Sequence, residues 1–137
     1  MIWKKHFTLE QLNEMGKHCA IGHLGIEISA YGENWIEAKM PVDHRTTQPF
    51  GLLHGGVSVA LAETIGSLAG FLSIEEGQIA LGLDINANHL RPVKKGFVTA
   101  KAIPIALSQN THVWQIDILD EQDKLCCVSR LTLSIKH

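Results

Sequence analysis

The chain is short of every feature that would make it a secreted, metal-binding or nucleic-acid-binding protein. It has three cysteines, Cys19, Cys126 and Cys127. That odd number, with two adjacent residues that alternate across a strand, gives no disulfide framework and reads as reduced thiols in a cytoplasmic protein. Neither sign of charge is in excess: 12 Lys and Arg stand against 14 Asp and Glu, for a net charge of -2. No sequence-wide basic field argues for nucleic acid. The N-terminus, Met-Ile-Trp-Lys-Lys-His-Phe-Thr, lacks the apolar segment of a signal peptide. Eight histidines are present, but no His-x-x-x-His pair stands with a carboxylate and Cys126-Cys127 lacks the Cys-x-x-Cys gap, so no metal site is expected. There is no Gly-x-Ser-x-Gly elbow to mark a serine nucleophile. Internal repeats and low-complexity tracts are also missing.

What remains is 137 residues, enough for one domain, 1-137, to bury a core without staples. Its organising stretch runs from Gln48 to Leu72. A loop holding Pro49, three glycines and His54 leads into a run that reads as a helix buried on nearly all sides. Between His54 and Glu75 the only charged residue is Glu63. An ionisable group in the middle of such a run must be paired, neutralised, or kept for its chemistry. The run approaches the length of a membrane span, but Glu63 near its centre and four glycines argue against one.

Around this stretch the pattern predicts mostly strands. Thr8 and Gln11 form a capping box that opens a short helix through about Lys17. Gly25 to Tyr31 and Trp35 to Met40 read as two strands joined at Gly32-Glu33-Asn34. Beyond the central helix, Ile79 to Leu90, Phe97 to Ala106, Thr111 to Leu119 and Leu125 to Ile135 read as four more. The short links between them suggest an antiparallel meander. One long helix and about six strands predict an α+β fold, a curved sheet wrapping the helix. A sheet so built leaves one helix face and the strand edges open, for which a homodimer is the remedy.

The candidate chemistry gathers at two places. If the helix begins near His54-Gly55-Gly56, its first N–H groups are free and backed by the positive end of the dipole. Gly55 then suits an oxyanion donor, with Gln48 and His54 beside it; a plain glycine-rich helix start is the alternative. Glu63 lies eight residues on, roughly 12 Å along an α-helix. The two cannot serve one reacting carbon from the same helix, so any cooperation runs between subunits. Ser67 shares the face of Glu63 one turn later, either to orient the carboxylate or merely bonded back to its own helix. The second place is His89-Leu90-Arg91-Pro92 with Lys94 and Lys95, cations at a strand end that suit phosphates or make a solvated turn. Ala106 to Thr111 (Ala106, Leu107, Ser108, Gln109, Asn110, Thr111) is expected to lie beside it as a source of backbone donors, or to be an ordinary hairpin loop.

Through Gln48-Pro49-Phe50-Gly51-Leu52-Leu53-His54-Gly55-Gly56, Leu61-Ala62-Glu63 and on to Ser67, the sequence resembles the hotdog-fold acyl-CoA thioesterases of the PaaI and Arthrobacter 4-hydroxybenzoyl-CoA thioesterase type. Met40-Pro41-Val42-Asp43, Arg45-Thr46, Asn86-Ala87-Asn88-His89 and Arg91-Pro92 extend the resemblance over essentially the whole chain. It implies a hotdog fold assembled as a dimer or a tetramer of hotdogs, and hydrolysis of an aromatic acyl-CoA without metal or bound cofactor. The first substrate it suggests is 1,4-dihydroxy-2-naphthoyl-CoA. Misacylated aryl carrier protein is the alternative substrate, and a non-catalytic acyl-CoA or acyl-carrier binding module the alternative class. By the same resemblance Glu63 is nucleophile or general base, Gly55 the oxyanion donor, Gln48 and His54 neighbours of the thioester, and Ser67 the carboxylate's hydroxyl partner. Gly82, His89, Leu90, Arg91, Pro92 and the stretch Ala106 to Thr111 fall where relatives contact coenzyme A. Leu68, beside the site, is where acyl pockets differ.

Overall fold

The computed structural model describes residues 1–137. Its elements are α1 (Leu9–Met15), α2 (Ala20–His23), β1 (Glu27–Tyr31), β2 (Ile36–Pro41), α3 (Gly55–Leu72), β3 (Ile79–His89), β4 (Phe97–Leu107), β5 (Thr111–Leu119) and β6 (Leu125–Lys136). The capping box forms as the sequence predicts, Thr8 Oγ1 accepting from Gln11 N–H at 3.1 Å and Gln11 Oε1 from Thr8 N–H at 3.0 Å. The helix stops at Met15, ahead of Lys17, because the chain leaves it at the C-cap Gly16, with Lys17 N–H closing back on Glu14 O at 3.3 Å. The four-residue α2 that follows is too short to carry a periodic signal.

All six strands join one antiparallel sheet in the order β1-β2-β4-β5-β6-β3. The expected four-strand meander is therefore corrected: β4, β5 and β6 follow one another, but β3 pairs with β6 at the edge. From β3 to β4 the chain must pass two intervening strands, about 14 Å at ordinary strand spacing. Leu90 to Gly96 is long enough for that, since seven extended residues reach about 23 Å. The link is held in transit by the loop ahead of α3, with Leu53 N–H on Val93 O and Val42 N–H on Gly96 O, both 2.8 Å. Val93 is buried beneath it.

α3 packs on the inner face against β2, β3, β4, β5 and β6. This is the hotdog arrangement. Leu61, Ala62, Ile65, Ala69 and Leu72 of the helix meet Met40, Val98, Ala100, Trp114, Ile116, Leu131 and Leu133 of the sheet, all at most 1% exposed. Burial of a large aliphatic side chain of this kind contributes roughly 1.5–3 kcal/mol. The helix is not buried on nearly all sides, however. Glu63 is exposed and Thr64, Ser67 and Leu68 are only partly covered, because the sheet wraps one face of α3 and no second layer covers the other. The helix has the length and hydropathy of a membrane span, but its apolar face is spent on the sheet.

Candidate active site

The loop before α3 is organised by backbone and side-chain bonds that the sequence only hinted at. Thr46, fully buried, donates from Oγ1 to Pro41 O at 2.8 Å and accepts from Asp43 N–H at 3.0 Å. Arg45 clamps the same turn with a 2.7 Å ion pair to Asp43. Its guanidinium hydrogen bonds hold the Asp43 carboxyl well below the usual range, at about 2. Gln48 Oε1 accepts from Phe50 N–H at 2.6 Å and Leu52 N–H at 3.3 Å. That consumes the carbonyl end of the amide and leaves its NH₂ to donate elsewhere. The tight turn closes at Gly51, whose φ of +82 suits glycine.

His54 is the N-cap of α3, as the sequence suggested, with φ -67 and ψ 128. Its Nδ1 accepts from Val57 N–H at 3.3 Å, so the ring's remaining proton belongs on Nε2, free to donate. Gly55 and Gly56 begin the helix and their N–H groups have no helical acceptor. His89 comes down on Gly55 from the end of β3. A Cβ built at Gly55 would lie 3.1 Å from His89 Nε2, so glycine here permits the approach and keeps the N–H open.

Gln48, Gly55 and His89 share one cavity of about 350 Å³, lined also by Leu90, Arg91 and Pro92 and by Leu52, Leu53, Ser58, Val93 and Cys126, whereas the capping His54 is not part of its wall. The two candidate places, the helix start and the cationic strand end, are thus a single site. The link that carries β3 past β6 and β5 brings them together. Ser58 was not singled out in the sequence. It lies three residues after Gly55, so on the same helical face, and is 4% exposed with its hydroxyl bonded to nothing in the chain. Cys126 is a second unforeseen wall residue, but burial pushes its thiol upward, which makes it a poor nucleophile at neutral pH.

Two expected members stand apart. Ala106 to Thr111 does not lie beside His89–Pro92. Thr111 pairs with Ser134 and Leu107 with His112, whereas His89 pairs with Cys127, near the other end of β6. Antiparallel pairing puts the start of β5 level with the start of β3, so within one chain the β4–β5 loop sits at the far end of the sheet. There Leu107, Ser108 and Gln109 line a different cavity, of about 550 Å³, with Lys4, Ser73 and His112. Glu63 is also remote from the first cavity. It makes no ion pair, and its carboxylate lies over Gly82 of β3, where a Cβ would meet Oε2 at 3.2 Å. A bulge falls between Gly82 and Asp84 at this point. Ser67 shares that open face. Thr64 Oγ1 and Ser73 Oγ bond back to Ala60 O and Ala69 O, but Ser67 makes no such bond.

Residues 50–127 match the model of the Thioesterase superfamily. The chain belongs to that family. A crystal structure of a thioesterase from Haemophilus influenzae superposes with a TM-score of 0.98 at 72% identity, over 98% of this chain and 94% of that one. The chain is 53% identical to the 1,4-dihydroxy-2-naphthoyl-CoA hydrolase of Escherichia coli over 98% of this chain and 99% of the relative. It is 50% identical to the proofreading thioesterase EntH of Cronobacter turicensis, over 98% of each. The protein is a thioesterase on the hotdog fold, and the cavity at the start of α3 is its candidate active site.

Proposed function

We propose that this thioesterase hydrolyses an aromatic acyl-CoA, 1,4-dihydroxy-2-naphthoyl-CoA foremost, in a site shared between two subunits of a homodimer. The Gly55 N–H accepts the developing oxyanion at the positive end of α3, with the Gln48 NH₂ and the His54 ring beside the carbonyl. Glu63 from the other subunit either takes a proton from water as it adds to the carbonyl carbon or adds directly, and the C–S bond then breaks to release the thiolate; after direct addition, water cleaves the acyl–Glu63 anhydride to free the acid and restore the carboxylate. Ser67 orients that carboxylate. His89 to Pro92 take the coenzyme, and Ala106 to Thr111 reach it from a neighbouring subunit. The whole chain, 1-137, acts as one domain, and its free thiols, Cys126 and Cys127 buried and Cys19 exposed, suit the cytoplasm.

The observation that carries the reading is where Glu63 points. Its carboxylate rests above Gly82 on an edge strand, about 12 Å along the helix from its own Gly55, so it serves a carbonyl held elsewhere. β3 also leaves Ile79, Leu81 and Leu83 57%, 49% and 65% exposed beside an unpaired row of backbone groups. A long apolar edge of that kind supports pairing with a second copy.

The second reading, release of misacylated aryl groups from a carrier protein, is supported by the 50% identity to the proofreading enzyme. Thiol release measured on aromatic and aliphatic acyl-CoA and on aryl carrier protein decides between them. We expect the aromatic CoA thioester to be turned over at least about tenfold faster, in kcat/KM, than the others. Preference for the carrier protein would move the assignment to proofreading. Saturable binding without thiol release would leave a binding module instead.

A further inference from the structure

We propose that Asp120 is a positioning residue that aims Arg91 at a phosphate of a phosphopantetheine-bearing thioester, an inference that rests on the reading above. Arg91 is rooted in the backbone: Leu90 N–H and Arg91 N–H both reach Cys126 O, at 2.8 and 3.3 Å. Its side chain is held by Asp120, whose Oδ2 lies 3.4 Å from Nε. The other carboxylate oxygen is already committed, Oδ1 accepting from Gln122 N–H at 2.9 Å and Lys124 N–H at 3.0 Å. Asp120 N–H in turn donates to Lys124 O at 2.9 Å. The carboxylate is therefore the fixed partner, its side chain 10% exposed, and Arg91 the presented one, at 52%.

With Nε turned to Asp120, the two terminal amino groups of Arg91 donate to nothing in the chain, and Arg91 lines the candidate active-site cavity. A half-exposed pair at this distance adds little to stability. What it does is restrict the guanidinium in advance, which lowers the loss of rotamer freedom on binding. The free edge matches two oxygens of one phosphate. Lys94 and Lys95 follow on the same link, exposed and without ion pairs, while the nearby Glu121 is turned to Phe97 N–H at 2.8 Å.

Asp120→Asn tests the assignment, since the amide oxygen keeps the turn and the NH₂ opposes Arg91 Nε–H. One acyl group is presented on coenzyme A, on phosphopantetheine and on pantetheine, and affinities for free coenzyme A and pantetheine are measured in parallel. We expect KM for acyl-CoA to rise roughly five- to twentyfold with kcat nearly unchanged. Acyl-pantetheine should be unaffected, and Asp120→Asn should add nothing in an Arg91→Ala background. Loss on acyl-phosphopantetheine as well assigns the phosphate next to pantetheine, shared with carrier proteins; loss on acyl-CoA alone assigns the nucleotide phosphates. An equal loss on acyl-pantetheine, or additivity with Arg91→Ala, overturns the inference. Hydrolysis with no change in Asp120→Asn overturns the positioning role alone. Weakened coenzyme A binding in a protein that hydrolyses no thioester overturns the thioesterase reading and keeps Arg91 as the phosphate ligand.

Discussion

The two ends of α3 are built from the same residue types for opposite purposes. At the N-terminal end, Gly55 and Gly56 leave N–H groups unpaired beside an open cavity, with His54 and His89 packed against them. Toward the C-terminal end, Gly66 and Gly70 serve packing: a Cβ at Gly66 would lie 2.7 Å from Leu131 Cδ2, and one at Gly70 would run into Leu133 Cδ1. Unpaired polar atoms occur at both ends as well. At the first they face the cavity, whereas Trp114 Nε1 at the second is sealed in the core without a partner. A glycine or an unpaired donor thus points to chemistry only where space opens beside it. Elsewhere it records how closely helix and sheet approach.

The largest effect that separates the two regions belongs to Glu63, on the exposed face between them. Glu63→Gln keeps shape and removes both base and nucleophile, so thiol release should fall by about 10²–10⁴-fold with the melting temperature unchanged. Near-normal turnover would remove Glu63 from the mechanism. The shared site has a quantitative consequence of its own. When Glu63→Gln and Gln48→Ala subunits are mixed and reassorted, half the dimers are mixed, and each mixed dimer holds one site free of both changes. Activity should return to about a quarter of wild type. A site complete within one subunit would give no rescue.

Legibility in the sequence follows the same division. The loop and the start of α3 could be read because their signals are local: glycines, a capping histidine, and an uncharged run interrupted once by Glu63. The order β4-β5-β6 was legible because tight links force neighbours. The place of β3 was not, since its pairing with β6 depends on where Leu90 to Gly96 is anchored, at Val42 and Leu53, far off in the chain. The misplacement of Ala106 to Thr111 follows from it. Ser58 in an apolar run reads as filler, and only the cavity beside it reveals an unpartnered hydroxyl. The exposure of Glu63 was hidden because hydropathy measures how apolar a helix is, not which face its own chain covers.

At the packed end the expected effects fall on stability. Gly70→Ala forces Leu133 aside in a filled core, and overpacking of that kind should lower stability by about 1–3 kcal/mol in denaturant unfolding. Turnover per folded molecule should stay near wild type, because the change lies far from the cavity. If Gly70→Ala instead raised stability, in the way a helical alanine does at an uncrowded site, close helix–sheet approach would not be the reason for that glycine.

The smallest effect should be a pH dependence at the same end. His112 is 4% exposed, and burial, assisted by the nearby Lys4 charge, holds its imidazole below the ordinary 6.5. Its neighbours include the Trp114 ring at 6.1 Å; Lys4 carries positive charge, and Glu75, which also lines the cavity, is tied to Lys4 at 3.1 Å. Protonation is thus opposed in the folded state, while the unfolded chain takes up the proton near 6.5. The neutral ring's contribution is complete above that value and is lost as pH falls through it toward the depressed folded pKa. Asp43 and Asp120, held low by hydrogen bonds, lose their contributions only in more acid solution. Melting temperatures between pH 7.5 and 5 should therefore fall more steeply for wild type than for His112→Gln. Parallel curves would mean that His112 is protonated as easily in the fold as out of it, and that the packed end tolerates a charge its geometry gives no partner.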